Sequence, residues 1–471
     1  MTIEGASGLP ARIFRAYDIR GIVGDSLTRE IVRRIGVAIG AEAHHRGVRT
    51  LVVGRDGRHS SPELCTALVV GLRASGRDVV DVGQVPTPVL YFAATHLETG
   101  SGVMVTGSHN PSDYNGLKIV LAGETLHSGA IQDLRRRIEE NDLDSGPDVR
   151  GPGDLRSTEI VGDYIRRVWE EIPAARGHEA RRIVIDCGNG VAGGVAPKLF
   201  RALGHDVIEL YCDVDGDFPN HHPDPSVPAN LRDLIASVRE NEADLGLAFD
   251  GDGDRLGVVD GAGNIIWPDR QMMLFAGDVL AGRPGAEIIF DVKCSGLLAE
   301  HIAKHGGRPV MWKTGHSLIK SRLKQTGAPL AGEMSGHIFF ADRWYGFDDA
   351  IYAAARLVQI LVGLGEPSSR VFARFPAAKS TPELRIGVGE GRQVQLVDSL
   401  LAGDYFPDAN KTTIDGLRVD YPDGWGLARA SNTEPCLVVR FEGADDAALE
   451  RITEEFRRAL LSIDSSLDLP F

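Results

Sequence analysis

The sequence is short of cysteine and of long apolar runs. Five cysteines are scattered through 471 residues, and no two of them form a C-x-x-C pair. Separate cysteines in odd number argue against a disulfide framework and against a cysteine zinc site, and they are typical of reduced intracellular proteins. The opening residues, MTIEGASGLPARIF, contain no apolar segment of signal-peptide type, and no apolar run approaches the length that spans a membrane. We therefore expect a cytoplasmic protein with no membrane partner.

Positive charge is also in deficit. Lysine and arginine number 51 against 66 aspartates and glutamates, which gives a formal net charge of −15. Such a balance argues against general binding to nucleic acid, although a locally basic cleft can still take an anionic substrate. A chain of 471 residues exceeds the size at which one core keeps growing, so we expect several domains.

The most informative feature that is present is an internal repeat. The segments TLVVGRDGRHSS, RIVIDCGNGVAG and EIIFDVKCSGLL begin at residues 50, 182 and 287, and each is a β-branched run that stops at a glycine-containing turn. A helical pattern and a second strand pattern follow each time, which is the order of a βαβ unit. Each copy leads later to another apolar strand with an unusual loop: VMVTGSHNP, LGLAFDGDGDR and PLAGEMSGH. Because ligands of α/β domains bind at the carboxyl ends of parallel strands, the three loops predict a shared cleft.

The fold class that we predict is α/β, with three similar domains built on mixed or parallel sheets and a smaller C-terminal α+β domain around one cleft. The tail differs from the repeats, since a YPDGWG hairpin turn joins LRVD to LARAS before the strand CLVVRF and a last amphipathic helix. Gly- and Pro-rich stretches set the predicted domains at residues 1–155, 156–264, 265–376 and 377–471.

The DGDGDR loop is the strongest chemical signal. Asp250, Asp252 and Asp254 alternate with glycine, so in an extended loop their carboxylates face one point. Oxygen-only ligation suits Mg²⁺, Ca²⁺ or Mn²⁺ and not zinc. An EF-hand starting at Asp250 would need Gly and Glu where Arg255 and Gly261 stand, so that motif is excluded. The alternative is a solvated acidic turn.

The TGSHNP loop places Ser108 beside His109 directly after a strand pattern. Ser, Asn, Pro and Gly are turn formers, so a plain turn is the alternative interpretation. The loop is not a G-x-S-x-G elbow, so acyl transfer by a serine triad is unsupported. A serine and a histidine beside a separate metal loop indicate phosphoryl transfer, with Ser108 supplying a hydroxyl or phosphate-ester oxygen to the metal.

Two further loops have the composition of ligand contacts. RASNTEP combines a guanidinium with hydroxyl and amide donors, which is typical of phosphate binding, and ordinary polar turns are the alternative. GEMSGH mixes acidic, hydroxyl and imidazole groups suited to sugar hydroxyls. The segments WKTGHS and FRAYDIRG add further candidates. The full set of candidate contacts is Arg429, Ser431, Asn432, Thr433, Glu333, Ser335, His337, His316, Tyr17 and Arg20.

Four loops in the order TGSHNP, DGDGDR, GEMSGH and RASNT, on three repeats and a tail, resemble the α-D-phosphohexomutase superfamily. The likeness is greatest to its bacterial bifunctional phosphomannomutase/phosphoglucomutase branch. It implies an isomerase that interconverts the 1-phosphates and 6-phosphates of mannose and glucose. Ser108 would be a phosphoserine, and Mg²⁺ would lie between its phosphate and Asp250, Asp252 and Asp254. Glucose 1,6-bisphosphate would be the activator and intermediate.

The resemblance also implies roles for single residues. Ser108, Arg20 and Arg255 would act in catalysis, and His109, Lys118 and His337 are candidates for general acid and base. Glu333 and Ser335 would hold the sugar 3- and 4-hydroxyls, which glucose and mannose share. The substrate-binding set would comprise Tyr17, Arg270, Lys293, His316, Glu333, Ser335, His337, Arg429, Ser431, Asn432 and Thr433.

Three alternatives stay open at this point. A metal-dependent phosphatase would use the same serine and metal, and a sugar-phosphate-binding regulator would need no reactive serine. A phosphoglucosamine mutase is disfavoured, because that branch usually has Gln and Gly where Met334 and Asn432 stand. The expected partners are small hexose phosphates and no nucleic acid, with a monomeric chain serving nucleotide-sugar and exopolysaccharide synthesis.

Overall fold

A computed structural model describes residues 8–143, 151–172, 180–389, 391–432 and 434–471, and it contains four β-sheets. The first sheet is mixed and has the order β1-β5-β4-β2-β3-β7, with β6 beside β5. Its region, after a 3₁₀ turn at Ala11–Ile13, runs through β1 (Ile19–Ile22), α1 (Arg29–His45), β2 (Thr50–Arg55), α2 (Ser61–Ala74), β3 (Asp78–Gln84), α3 (Thr87–His96), β4 (Gly102–Val105), β5 (Tyr114–Leu121), β6 (Glu124–Thr125), α4 (Gly129–Glu139), β7 (Leu155–Ser157) and α5 (Val161–Glu171).

The second and third sheets repeat the arrangement on fewer strands, in the orders β12-β11-β10-β8-β9 and β14-β13-β15-β16. The second comprises β8 (Arg182–Asp186), α6 (Ala196–Ala202), β9 (Asp206–Leu210), α7 (Arg232–Glu240), β10 (Leu245–Phe249), β11 (Leu256–Asp260) and β12 (Ile265–Ile266), with 3₁₀ turns at Val191–Gly194 and Pro228–Leu231. The third follows α8 (Pro268–Gly282) and comprises β13 (Glu287–Asp291), α9 (Gly296–Lys304), β14 (Arg308–Trp312), α10 (His316–Thr326), β15 (Leu330–Gly332), β16 (Ile338–Phe340), α11 (Ala350–Leu364) and α12 (Ser368–Ala373).

The fourth sheet is antiparallel throughout its paired strands, in the order β17-β22-β21-β20-β19 with β18 also beside β22. Its elements are β17 (Lys379–Ser380), β18 (Leu384–Gly387), α13 (Arg392–Ala402), β19 (Asn410–Thr412), β20 (Leu417–Tyr421), β21 (Gly424–Ala430), β22 (Cys436–Gly443) and α14 (Asp446–Ile463). A tight turn at Pro422 and Asp423 joins β20 to β21, where the YPDGWG pattern predicts a hairpin. The predicted α/β class with an α+β tail is confirmed.

The first three sheets share one plan, which explains the repeat in the sequence. In each, a central strand (β2, β8 or β13) pairs in parallel with the strand that follows its helix and, on the other side, with β4, β10 or β15. The next strand along the chain, β5, β11 or β16, then returns antiparallel. The three unusual loops therefore leave the carboxyl ends of equivalent strands, as predicted for a ligand cleft.

Local sequence signals account for the helix ends. Asp445 caps α14, because its carboxylate accepts a hydrogen bond from the Ala448 amide at 2.8 Å, and Asp349 caps α11 through the Tyr352 amide at 2.9 Å. Gly365 ends α11 in the left-handed conformation at φ 66°, which glycine adopts without steric cost.

The apolar core joins the first three domains more closely than the fourth. One buried cluster runs from Val52 through Phe92 and Phe275 to Phe372, whereas the fourth sheet has its own core around Phe441. A small seam of Val292, Trp425 and Leu427 connects the fourth domain to the third. The first three domains thus form one packed support, on which the last domain is seated by a separate contact. Among the described residues, no helix is long and apolar enough to cross a lipid bilayer.

Candidate active site

Ser108 lies in the loop that follows β4, and its backbone is held in a conformation unusual for serine. Its φ is +49°, and its side chain is buried. The Ser108 hydroxyl donates to Asp250 Oδ2 at 3.0 Å and lies 3.2 Å from His109 Nδ1. The structure therefore brings the predicted serine to the predicted carboxylate loop, across the boundary between two domains.

Arg58 supports this loop from beneath, and the sequence reasoning did not single it out. Its guanidinium, only 1% exposed, donates to the carbonyl oxygens of Ser108 at 2.7 Å, Asn110 at 2.6 Å and Tyr114 at 3.0 Å, and also to that of Pro111. A planar group with five N–H donors can bind several carbonyls at once, which an ammonium cannot do in the same geometry. Arg58 thus holds the turn that presents Ser108.

Asp56 completes the support on the other side. Its carboxylate accepts hydrogen bonds from Thr106 Oγ1 at 2.7 Å, from the Gly107 amide at 3.1 Å and from Arg58 Nε at 3.2 Å. A Cβ atom on Gly107 would lie 2.3 Å from Arg58 Cζ, so a side chain at this position would displace the guanidinium from the loop. In the sequence, the segment RDGR at residues 55–58, where β2 ends, contains both supporting residues, but ordinary turns have the same composition.

The three aspartates of the DGDGDR segment, residues 250–255, converge as predicted, and this segment is called the metal loop below after the ion predicted there. Asp250, Asp252 and Asp254 are fully buried, and a carboxylate oxygen of each lies within 4.8 Å of the others. Asp252 Oδ1 and Asp254 Oδ1 have no hydrogen-bond partner among the described residues. Buried oxygens without a donor are costly unless a cation binds them. The cluster therefore fits a hard divalent cation that prefers oxygen ligands.

The charge of the metal loop is only partly balanced by protein groups. Lys118 Nζ donates to Asp252 Oδ2 at 2.7 Å and also to Asp254 Oδ2. Burial disfavours the Lys118 ammonium, but Asp252 and Asp254 outweigh it and raise the pKa of Lys118. Burial, and then the neighbouring Asp252 and Asp254, raise the pKa of Asp250 well above its usual value. One buried ammonium among three carboxylates leaves room for further positive charge.

His109 lies beside the Ser108 hydroxyl, and two arginines, Arg20 and Arg255, lie near this loop. Arg20 Nη1 donates to the Gly107 carbonyl at 2.5 Å, and the same guanidinium also bonds Asn110 and Asp18. Burial, and then the charges of Arg255 and Arg20, lower the pKa of His109 well below its usual value. Positive charge from Arg255 and Arg20 therefore acts on His109 beside the Ser108 hydroxyl, opposite the carboxylates of the aspartate loop.

The GEMSGH loop packs directly on the metal loop. The Leu256 amide donates to the Gly336 carbonyl at 3.1 Å, and Arg255 Nε donates to His337 Nε2 at 3.1 Å. Glu333 accepts a hydrogen bond from the Gly315 amide at 2.5 Å, and burial raises its pKa. Ser335 lies in the half-buried turn between Glu333 and His337.

A buried network behind His337 was missed by sequence reasoning. Asp348 is fully buried, and its Oδ2 lies 3.2 Å from His337 Nδ1 and 3.5 Å from His316 Nδ1. Lys320 Nζ donates to Asp348 Oδ1 at 2.8 Å, and the two imidazole rings stack with centroids 5.5 Å apart. Burial, and then the Lys320 charge, lower the pKa of His316 well below its usual value.

The fourth-domain loop reaches the first domain. Asn432 Nδ2 donates to the Tyr17 hydroxyl, and that hydroxyl donates to the Thr314 carbonyl at 2.7 Å. A Cβ atom on Gly315, whose φ is +132°, would lie 2.5 Å from the Tyr17 ring. Tyr17 therefore lies where the first, third and fourth domains meet.

Two other predicted cations, Arg429 before this loop and Lys293 after β13, are paired with acidic side chains. Arg429 Nε donates to Asp415 Oδ2 at 3.1 Å, and Lys293 Nζ donates to Glu383 Oε2 at 3.0 Å. Ser431 Oγ accepts a hydrogen bond from the Glu434 amide at 3.2 Å. Thr433, the last residue of the predicted phosphate set, lies outside the described residues.

Arg270 is placed elsewhere. Its Nη2 donates to the carbonyl oxygens of Phe372 at 2.6 Å and Phe375 at 3.2 Å. These contacts put the guanidinium at the end of α12, and the structure does not bring it to the loops above. A free arginine and an arginine that binds a helix end look the same in sequence, because the carbonyl partners are about a hundred residues away.

Family models match the chain in four consecutive pieces. Their descriptions are phosphoglucomutase/phosphomannomutase alpha/beta/alpha domain I at residues 11–145, domain II at 162–263, domain III at 267–378, and the C-terminal domain at 383–459. The matches follow one another in the order of the four sheets.

Curated relatives match along the whole length. A phosphomannomutase/phosphoglucomutase from Pseudomonas aeruginosa is 57% identical over 471 residues, which is 100% of both chains. A phosphoglucomutase from Neisseria meningitidis is 53% identical and covers 96% of this chain and 97% of its own. A crystal structure of a phosphoglucomutase/phosphomannomutase family protein from Burkholderia thailandensis is 51% identical, with a TM-score of 0.90 over 98% of this chain and 99% of that one.

Proposed function

The chain belongs to the phosphoglucomutase/phosphomannomutase family and is an enzyme that interconverts hexose phosphates, and we propose that Ser108 carries the transferred phosphoryl group. The substrates are the 1-phosphates and 6-phosphates of mannose and glucose. The observation that carries the proposed role of Ser108 is its hydroxyl, which lies 3.0 Å from Asp250 in a cluster of buried carboxylates.

The proposed metal ion is Mg²⁺, held by Asp250, Asp252, Asp254 and an oxygen of Ser108. The donor set supports it, because all four groups are oxygen ligands and two of the buried oxygens have no protein donor among the described residues. When bound, Mg²⁺ supplies positive charge that balances the phosphate oxygens during transfer.

Cationic residues near Ser108 supply the remaining positive charge for the proposed phosphate. A phosphoserine carries about −1.5 to −2 charges at neutral pH, so alone it would repel a sugar phosphate. Arg20 binds the Ser108 loop at the Gly107 carbonyl, Lys118 binds Asp252 in the facing aspartate loop, and Arg255 binds His337 beside that loop. We propose that they stabilise the charge on the phosphoryl oxygens as the group leaves Ser108 for a sugar hydroxyl.

Proton transfer at the sugar hydroxyl falls to residues beside the metal loop. His337 Nε2 accepts from Arg255 while its Nδ1 faces Asp348, so the ring is held in one orientation. Lys118 bonds Asp252 and Asp254, and His109 lies beside the Ser108 hydroxyl. We propose that these three groups are the general acid and base candidates.

The sugar phosphate is proposed to bind in two orientations. Glu333 and Ser335 hold the 3- and 4-hydroxyls, and the contacts that hold the phosphate not reacting are Arg429, Ser431, Asn432 and Thr433, with Tyr17, Lys293 and His316 lining the cleft. The hexose 1,6-bisphosphate formed by the first transfer turns over, and Ser108 takes back the other phosphoryl group. Glucose 1,6-bisphosphate would act as activator by keeping Ser108 phosphorylated.

The chain's other properties are proposed on the same basis. We propose a cytoplasmic monomer of four domains at residues 1–155, 156–264, 265–376 and 377–471, serving nucleotide-sugar and exopolysaccharide synthesis. Light scattering coupled to size exclusion measures the mass of the particle, and a value near the chain mass of 50.7 kDa is expected. A mass of twice that value would contradict the monomer.

A coupled assay tests the proposed activity. Mannose 1-phosphate, glucose 1-phosphate and glucosamine 1-phosphate are compared with Mg²⁺ and a trace of glucose 1,6-bisphosphate. We expect turnover of the first two and loss of it in Ser108→Ala. Lack of turnover of both sugars would refute the proposal, release of free phosphate faster than isomerised product would indicate a phosphatase, and fastest turnover of the third would indicate a phosphoglucosamine mutase.

A further inference from the structure

Two cysteines outside the proposed chemistry touch each other beneath the metal loop. Cys187 follows β8 and Cys212 follows β9, and their sulfur atoms are 3.6 Å apart. Both are reduced in this structure, with Cys187 fully buried and Cys212 half-buried. We propose that Cys187 and Cys212 are a redox site, which a hydroperoxide converts reversibly to a disulfide that distorts the metal loop.

The backbone already brings the two sulfur atoms together. Asp186 and Leu210 are paired at the ends of the parallel strands β8 and β9, and the Cys187 amide donates to the Leu210 carbonyl at 3.2 Å. A disulfide has its sulfur atoms about 2.05 Å apart, so they need to approach by roughly 1.5 Å. The strand ends fix the thiols side by side, and closure requires only a local movement of the turns.

The turn that begins at Cys187 packs tightly against the metal loop. The Gly190 amide donates to the Cys187 carbonyl at 2.7 Å, and the Val191 amide donates to the Gly251 carbonyl at 3.1 Å. A Cβ atom on Gly190 would lie 2.9 Å from that Gly251 oxygen, so backbone packs on backbone there. A pull on Cys187 is therefore transmitted to the peptide between Asp250 and Asp252.

The hydroperoxide is the two-electron oxidant that forms the disulfide. The Cys212 thiolate attacks one peroxide oxygen, the O–O bond breaks, and a sulfenic acid forms with release of an alcohol, or of water from hydrogen peroxide. The Cys187 sulfur then attacks the Cys212 sulfur, the S–O bond breaks, a disulfide forms, and water leaves with the Cys187 proton. Burial raises the pKa of the Cys187 thiol, so the half-buried Cys212 reacts first. A dithiol reverses the reaction by thiol–disulfide exchange.

Peptide mapping of the full chain tests the pair. The protein is treated with hydrogen peroxide, free thiols are alkylated, and peptides are separated without reduction. We expect a peptide that links Cys187 to Cys212, two hydrogens lighter than its reduced parts, in the wild type and in the matched control Cys65→Ser, but not in Cys212→Ser. Cys65 is a suitable control because it is buried between α2 and the first sheet, away from the metal loop. Oxidation of Cys212 to sulfinic acid without the linked peptide would overturn the proposed pair.

The effect on the metal loop rests on the proposed function and has a separate readout. Misplacement of catalytic groups by about 1 Å can cost up to about 10²-fold in rate, so we expect kcat to fall at least about tenfold on oxidation and to recover with dithiothreitol. Cys212→Ser should keep its activity under the same treatment. An unchanged kcat in the linked protein, or an equal loss in Cys212→Ser, would overturn the coupling. Absence of mutase activity before oxidation would refute the proposed function instead, while the linked peptide still reports on the pair.

Discussion

Replacing Arg58 by lysine tests whether catalysis depends on the support beneath Ser108. The guanidinium binds four carbonyl oxygens of the loop and also Asp56. A lysine ammonium has three donors, of which Asp56 will take one, so about two carbonyls lose their partner. Each buried carbonyl left unpaired costs about 1–3 kcal/mol, which gives about 2–6 kcal/mol that the loop can recover by moving. We expect the loop to move, and Ser108 with it.

The assay for Arg58→Lys is steady-state kinetics. Intact-mass spectrometry measures the fraction of enzyme that carries a phosphate, and kcat is corrected for that fraction. We expect kcat to fall about 10- to 10²-fold while KM stays within about twofold, because the proposed sugar contacts Glu333 and Ser335 lie on the third domain. Arg356→Lys is the matched control, since Arg356 is equally buried and bonds Asp342 and Asp278 away from the site. That variant should lower the melting temperature without changing kcat. A wild-type kcat in Arg58→Lys, or an equal fall in Arg356→Lys, would refute the reasoning.

Three other predictions concern stability, the cleft and the metal. Burial raises the pKa of Asp349 to about 7 despite hydrogen bonds from Tyr164 and Trp344, so its contribution to stability is full below its ordinary value of 3.8 and is lost as the pH rises through 7. Asp349→Asn should therefore gain on the wild type by up to about 4 kcal/mol in unfolding free energy between pH 4 and pH 8, measured by denaturant titration, and a constant difference would contradict this. Gly315→Ala places a Cβ atom 2.5 Å from the Tyr17 ring and should raise KM about tenfold by displacing the tyrosine, whereas an unchanged KM would show that Tyr17 does not order the cleft. Chelation of divalent cations should abolish mutase activity and added Mg²⁺ should restore it, while full activity in excess chelator would exclude a metal at the aspartate loop.

Much of the fold could be predicted because each repeat has a pattern that is visible in short segments of the sequence. Strand patterns, glycine turns and helix patterns recur in order, so three α/β domains and their loops follow without knowledge of distant contacts. The convergence of Asp250, Asp252 and Asp254 could be predicted for the same reason, since it follows from their spacing in the sequence alone.

The support of the site could not be predicted in this way. Arg58 lies about fifty residues before the carbonyls it binds, and Asp348 meets His316 and Lys320 only after α10 and β16 have packed. Arg270 is the converse case, in which a charged residue was nominated for the cleft but binds the end of α12. Such roles depend on which elements become neighbours, and no local pattern carries that information.

Transfer of a labelled phosphoryl group from Ser108 tests the central claim most directly. Enzyme carrying ³²P at Ser108, verified by peptide mapping, is mixed with an excess of glucose 1-phosphate under single-turnover conditions and quenched. We predict that the label leaves the protein and appears in glucose 1,6-bisphosphate and then in glucose 6-phosphate. Label that stays on the protein while glucose 6-phosphate forms, or that appears as inorganic phosphate, would contradict the account.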